Sequence, residues 1–332
     1  MHGWLVIDKP VGPGSTDIVS KVKRALREGG YPKIKVGHGG TLDPLASGVL
    51  PVALGEATKL AGRMLDADKV YDFTIRFGEQ TDTLDGEGEV VATSDVRPTV
   101  AGVEAVLPGF SGQIDQVPPI YSALKVDGQR AYTLARAGAE VEMKTRALTV
   151  YELVVRADPA SVCVERRRDT LSKGAENERF STALEATRFP FPLLEEITLR
   201  ARVSKGTYIR SLARDIALAL GTVGHVTMLR RLKAGPFTLD QAISLDNLTN
   251  FAKAASLEQA LLPLTAGLDD IPALPVTPDQ ARALRQGRKV IGTAAKPGLH
   301  LATDKSVPVA LVEASEGELR VVRGFNLEEE GV

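Results

Sequence analysis

The chain has 332 residues, with 41 Lys+Arg against 42 Asp+Glu, so its formal charge is −1 with neutral histidines. That balance excludes a tail-dominated basic binder but not a nucleic-acid partner, because local patches outweigh the total. A single cysteine excludes an intrachain disulfide, a zinc ribbon and a cysteine-held iron–sulfur cluster. The length predicts roughly two domains. No run reaches the ~18 apolar residues a membrane span needs. The start, MHGWLVIDKP, meets Asp8 and Lys9 too early for a signal peptide, so a cytoplasmic protein is expected.

Trp4 to Ile7 reads as a strand closed by Pro10 and Gly12. Ser15, Thr16 and Asp17 offer caps for a helix whose apolar face is Ile18, Val19, Val22, Ala25 and Leu26, ending at Gly29-Gly30. A glycine-rich loop follows, then a helix over 56–65 with Leu60, Ala61, Met64 and Leu65 inward. Tyr71, Phe73, Ile75 and Phe77 alternate with Asp72, Thr74 and Arg76, which predicts a half-buried strand. Thr99 heads a helix bearing Val103, Val106, Leu107 and Phe110; Ala131 to Ala137 forms a short helix and Leu148 to Val155 a strand. The polar stretch 156–192, with Arg166, Arg167 and Arg168, reads as an insertion or mobile loop. A strand from Ile197 to Val203 then leads into a helix with Ile209, Leu212, Ala213, Ile216 and Leu220 on one face. Thr277-Pro278-Asp279-Gln280 is a capping-box start within a small β-rich terminal module, with strands at 289–291, 307–313 and 319–322.

Charge is concentrated locally. Arg200 to Lys233 holds eight basic residues against Asp215, and Met1 to Leu42 holds seven against three acids. Such patches suit a polyanion backbone, or simply a solvated helix face. The four histidines are dispersed, which argues against a metal site. Gly37-His38-Gly39-Gly40-Thr41-Leu42-Asp43-Pro44 lacks P-loop spacing, which argues against a nucleoside triphosphate. Asp43 is either a presented catalytic carboxylate or a turn residue bonded to backbone. If it is enclosed, it needs a cation, and Arg210 is one candidate among several. Tyr71 is either a core ring or a platform for a flipped base.

GWLVIDKPVGPGSTDIVSKVKR, VGHGGTLDPLASGVLPVALGEATKL, DADKVYDFTIRFGEQTDTLDGEGEV, QVPPIYSALKVDGQRAYTLARAG, and RVSKGTYIRSLARDIALALG followed by HVTMLRRLKAGPF together resemble the bacterial tRNA pseudouridine-55 synthase family, the TruB type. The likeness covers about 3–155 and 195–245. It implies an α/β (α+β) pseudouridine-synthase catalytic fold with a mixed, mainly antiparallel sheet over 1–245. A connection at 246–270 would lead to a small PUA-like β-barrel over 271–332. It implies isomerisation of uridine 55 in the T-arm of tRNA by a monomer, with no cofactor, metal or membrane. By resemblance Asp43 is the catalytic aspartate, Tyr71 stacks on the flipped base, and Arg210 pairs with the aspartate. His38, Tyr208, Leu229 and Lys9 line or support the site, while Arg230 and Arg231 belong to the basic run expected to cradle phosphates. The family pattern more often has Thr where Gly39 stands, so a looser loop is expected. Two rival readings remain at this stage: a non-catalytic RNA-binding module and a small-molecule nucleosidase.

Overall fold

The computed structural model describes residues 1–122, 124–126, 128–139, 141–156, 162–164 and 193–327. The chain forms two compact units, Met1–Ala67 with Lys233–Val332, and Asp68–Leu232.

The first unit opens with β1 (Gly3–Lys9), α1 (Ser15–Glu28), β2 (Val36–His38), β3 (Ala46–Leu54) and, after a 3₁₀ turn, α2 (Ala61–Asp66). β1 pairs antiparallel with β3 from Gly3↔Leu54 to Lys9↔Gly48. β2 pairs with β3 from Val36↔Leu54 to His38↔Val52. The cap of α1 is the extended Gly14, not Ser15, Thr16 or Asp17. Asp17 serves from inside the first turn, its carboxylate accepting the Gly14 N–H at 2.9 Å. The helix expected over 56–65 is a 3₁₀ turn over 55–60 followed by the short α2. Leu60 and Met64 face inward as expected, but Leu65 is 52% exposed.

The second unit begins with β4 (Lys69–Phe77), β5 (Glu79–Thr81), β6 (Val90–Thr93), α3 (Val100–Val106) and β7 (Gly112–Gln116). It continues with β8 (Lys125–Val126), β9 (Gln129–Arg130), α4 (Ala131–Arg136), β10 (Arg146–Val155), β11 (Val162–Val164), β12 (Leu194–Val203), α5 (Ile209–Ala219) and β13 (Gly224–Ala234). Its main sheet runs β13-β4-β12-β10-β7, with β11 beside β12. β4 is central and buried on both faces, which corrects the half-buried expectation. Its polar side chains are enclosed because they find partners. The Thr74 and Thr198 hydroxyls meet at 2.9 Å. Asp72 accepts two bonds from Arg200, at 2.7 and 3.0 Å, and one from Arg156 at 2.6 Å. The Asp72 hydrogen bond raises the Arg200 pKa further above its ordinary range. Arg166, Arg167, Arg168 and the rest of 165–192 lie outside the described residues.

The chain then returns to the first unit through β14 (Phe237–Thr238), α6 (Leu245–Lys253), β15 (Leu262–Pro263), β16 (Ala273–Pro275) and α7 (Pro278–Arg285). Last come β17 (Val290–Ile291), β18 (Gly298–Asp304), β19 (Val307–Ser315) and β20 (Glu318–Gly324). The final five strands form a sheet ordered β16-β18-β19-β20-β17. β16 and β18 were not anticipated. α7 starts with the predicted capping box, Thr277 accepting from Gln280 N–H and Gln280 from Thr277 N–H. Ala281, Leu284, Val309, Val312 and Leu319 make one core between α7 and this sheet. A second core joins the chain's two ends. Trp4, Val49, Leu60 and Met64 pack with Phe237, Leu264, Leu301, Leu311 and Phe325. Glu56 strengthens that junction. Its carboxylate accepts from Lys59 at 2.6 Å and from the Asn326 N–H at 2.7 Å, while Lys59 also donates to Gly324 O at 2.9 Å. Burial works to raise the Glu56 pKa, but these bonds outweigh it and hold the group below its ordinary range.

Candidate active site

Asp43 sits in the first unit on a loop with little freedom. Lys9, at the end of β1, is 0% exposed, and its ammonium donates to the carbonyls of Pro10 (2.9 Å), Pro13 (2.8 Å) and Pro44 (3.3 Å). Three carbonyls match its three donors, which is what lets a lysine be buried. The buried Ser15 hydroxyl, at the start of α1, donates to Leu42 O at 3.0 Å and accepts Leu42 N–H at 2.7 Å. Gly12 N–H reaches Pro44 O at 2.8 Å, and Ala46 N–H reaches Asp43 O at 3.0 Å. Asp43 is therefore half-buried between two residues whose backbones are tied down. Gly40 has φ +126°, a conformation that only glycine adopts easily. At Gly39 the expectation of looseness is reversed. A Cβ there would lie 2.6 Å from Met64 Cβ, so glycine lets α2 close onto the loop. His38 is half-buried on β2.

Arg210 is fixed in the second unit by a different set of contacts. It lies in the first turn of α5, 6% exposed, with an Nη1–Asp85 Oδ2 distance of 3.1 Å. Nη1 also donates to Thr83 O at 2.9 Å, and Nη2 to Tyr121 O at 3.1 Å. Asp85 is itself oriented, its other oxygen accepting from the Thr83 hydroxyl at 2.6 Å and from Glu87 N–H at 3.0 Å. The buried Leu84 between them holds φ +62°, and Val226 N–H reaches Leu84 O at 3.1 Å. Sequence reasoning missed Asp85. The repeated Asp and Gly of TDTLDGEGE was the available signal.

Gln116 was missed too. It is 1% exposed at the end of β7, and its Oε1 accepts the N–H of Tyr208, the residue that begins α5, at 2.9 Å. The Ser211 hydroxyl and Arg214 both donate to Val117 O, at 2.9 and 3.2 Å, so the segment after β7 is stitched to α5. Tyr208 is half-buried. Tyr71, 9% exposed on β4, stands opposite Ala201 of β12, and Leu229 of β13 is 6% exposed.

The basic run is less open than its charge count implies. Arg200 is held by Asp72, Arg210 by Asp85, and Arg214 by Asp215. Arg231 is 1% exposed, Arg230 is half-buried and Lys233 is exposed. Several cations of the run expected to cradle phosphates are thus also tied within the fold.

A cleft of about 540 Å³ opens in the second unit beside this framework, walled by Asp82, Leu84, Ile120, Tyr121, Met143 and Arg214. None of the sequence-predicted site residues lines it. A hydrogen bond to Asp82, with some desolvation, raises the Tyr121 phenol above its ordinary range. Among the described residues no three His, Cys, Asp or Glu side chains gather as a metal site, and no helix is long and apolar enough to cross a membrane.

Comparisons with known proteins agree with one another. Residues 28–175 match the TruB family pseudouridylate synthase (N terminal domain), and residues 210–269 match the tRNA pseudouridylate synthase B C-terminal domain. A tRNA pseudouridine synthase B from Novosphingobium aromaticivorans is 58% identical over 99% of both chains. One from Zymomonas mobilis is 55% identical over 98% of this chain and 96% of that protein. Among solved structures, a Cbf5-Nop10-Gar1 complex contains a chain similar over 98% of this one and 84% of its own length, with TM-score 0.64 and 26% identity. An H/ACA RNP bound to a substrate RNA containing 2′-deoxyuridine gives TM-score 0.66 at 24% identity, covering 98% of this chain and 85% of that one, which supports the fold. With this identity along nearly its whole length, and with its predicted motifs placed on the strands and loops described, the chain belongs to the TruB family of pseudouridine synthases.

Proposed function

We propose that the enzyme isomerises uridine 55 in the T-loop of tRNA, and that Asp43, Tyr71 and Arg210 are its catalytic residues. The observation that carries this reading is the restraint on Asp43: a carboxylate whose two flanking residues are bonded by Lys9, Ser15 and Gly12. A turn carboxylate with no chemical task needs no such frame, whereas a nucleophile or charge stabiliser gains from fixed placement. Arg210, held by Asp85, Thr83 O and Tyr121 O, is the corresponding prepositioned cation.

In this reading the target nucleotide leaves the loop stack, at a cost of a few kcal/mol, and the Tyr71 ring stacks on the base. Asp43 supplies the carboxylate that opens the C1′–N1 bond. The uracil turns and C1′–C5 forms. The proton lost from C5 is balanced by one gained at N1, so every atom is conserved and no water is consumed. His38, Tyr208 and Leu229 shape the nucleotide's surroundings. Lys9 acts through the loop it holds, and Arg230 is the member of the Arg230–Arg231 pair with surface to offer a phosphate.

The test is to incubate the protein with an unmodified tRNA transcript and map pseudouridine. Product at position 55 is expected, and its absence there ends the reading. Asp43→Asn should abolish turnover and leave tRNA binding close to wild type.

A further inference from the structure

The cations of this protein divide into those the fold uses and those it leaves open. Arg200, Arg210 and Arg214 of the basic run from Arg200 to Lys233 each face a carboxylate. Lys21, Lys23, Arg24 and Arg27 do not. All four are exposed on α1, and among the described residues none of their side chains has a hydrogen-bond or ion-pair partner. Helix packing does not explain them, because Ile18, Val19, Val22, Ala25 and Leu26 form the buried face.

The arrangement is unfavourable on its own. Lys23 and Arg27 stand at i,i+4, while Lys21 with Arg24, and Arg24 with Arg27, stand at i,i+3. Like charges at these spacings repel and weaken a helix. Of the helix's two acids, Asp17 is bonded to Gly14 N–H, which leaves Glu28 at the far end. A polyanion laid along this face would relieve the repulsion.

The position of the helix indicates which polyanion. α1 begins at Ser15, whose hydroxyl binds Leu42 beside Asp43. At about 1.5 Å per residue, Lys21 lies about 9 Å and Arg27 about 18 Å along the axis from that point. An RNA with one nucleotide at Asp43 has its flanking backbone within this range.

We propose that the exposed face of α1 is a docking surface for the phosphate backbone of the substrate RNA, engaged outside the reacting nucleotide and supplying much of the salt-dependent affinity. This inference rests on the RNA-modifying reading above, and it adds a surface to that reading.

The test is the quadruple variant K21Q/K23Q/R24Q/R27Q, compared with wild type for binding of an unmodified tRNA transcript across a salt series. Each lost phosphate contact lowers the slope of log affinity against log salt by about 0.7–0.9, so a fall of roughly 3 is expected. With it, Kd at 0.15 M salt should rise about tenfold or more. The single-turnover rate at saturating RNA should stay near wild type, since no removed group touches the nucleotide. An unchanged slope and Kd overturns the proposal. So does loss of binding to phosphatidylserine vesicles with RNA binding intact, which would make the face a lipid contact. The thermal midpoint should hold or rise as repulsion is removed. If the quadruple variant does not fold, K23Q/R27Q alone should lower the slope by about 1.5. Wild-type protein that binds tRNA with this salt dependence but makes no pseudouridine defeats the functional reading and leaves this one standing.

Discussion

Asp43 and Arg210 are held by different chemistry. The Asp43 loop is tied by backbone groups, one hydroxyl, one enclosed ammonium and a glycine packed under α2. Arg210 is tied by a buried carboxylate and two carbonyls. Apart from the Lys9 ammonium, the first lock is a matter of shape and neutral bonds, so removing one of those neutral parts should cost a modest, local amount. The second is a charge pair away from water, and half of it is worse than none, because an uncompensated charge stays behind.

The sharpest way to break this contrast is Asp85→Asn. Asp85 and Arg210 side chains are 3% and 7% exposed. The change should cost about 3–5 kcal/mol of stability and slow turnover severely, as read by chemical denaturation and single-turnover assay. A loss under 1 kcal/mol would show that the two locks do not differ in kind. Gly39→Ala should come next, at about 1–3 kcal/mol, because Met64 Cβ occupies the space. Ser15→Ala, which leaves the N–H and carbonyl of Leu42 without their partner, should cost about the same or slightly less.

Gln116 sharpens the comparison from the α5 side. Gln116→Met removes the acceptor for Tyr208 N–H, and turnover at saturating RNA should fall about tenfold through misplacement of the helix start. Gln116→Glu keeps an acceptor and should recover most of that loss. Equal defects in both variants would assign Gln116 to packing alone.

The smallest effect concerns pH. Glu56 titrates below its ordinary 4.5 when folded, because Lys59 and Asn326 N–H hold the charged form against the opposing effect of burial. A depressed folded pKa stabilises above the unfolded value, and the gain disappears as pH falls through the folded one. Wild type should therefore exceed Glu56→Gln in thermal midpoint at pH 7 by the equivalent of about 1 kcal/mol or less. The gap should narrow as the pH falls below 4.5 and close once it passes the folded value.

What could be read before the structure was known followed from periodicity and turn chemistry. The apolar stripe of α1, the Thr277 capping box and the alternation of β4 are local signals that survive without partners. The Asp43 segment stood out through glycines and a proline that constrain the chain within eight residues, but a role for Asp43 came only from the resemblance to the TruB family. Asp85 and Gln116 were not. Their importance comes from Arg210 and Tyr208, which lie 125 and 92 residues further on, and no local pattern encodes that pairing. The same limit misjudged β4. Alternation predicts an outward Asp72 and Thr74, but Arg156, Arg200 and Thr198 arrive from distant strands and cover them. Counting charges in the run from Arg200 to Lys233 has the same limit, since the count does not show which cations have partners in the fold.

The core around Trp4 has a consequence for how the polypeptide matures during synthesis. Asp68–Leu232 is one uninterrupted stretch and has all its residues once the ribosome passes it. The opening 67 residues do not, because Trp4 belongs to a core that also needs Leu301, Leu311 and Phe325. At about 5–20 residues per second, the nascent N-terminus waits on the order of 10–50 s for those partners. During that interval its indole and neighbouring aliphatics are uncovered, so slow or truncated translation should make this segment a client for chaperones.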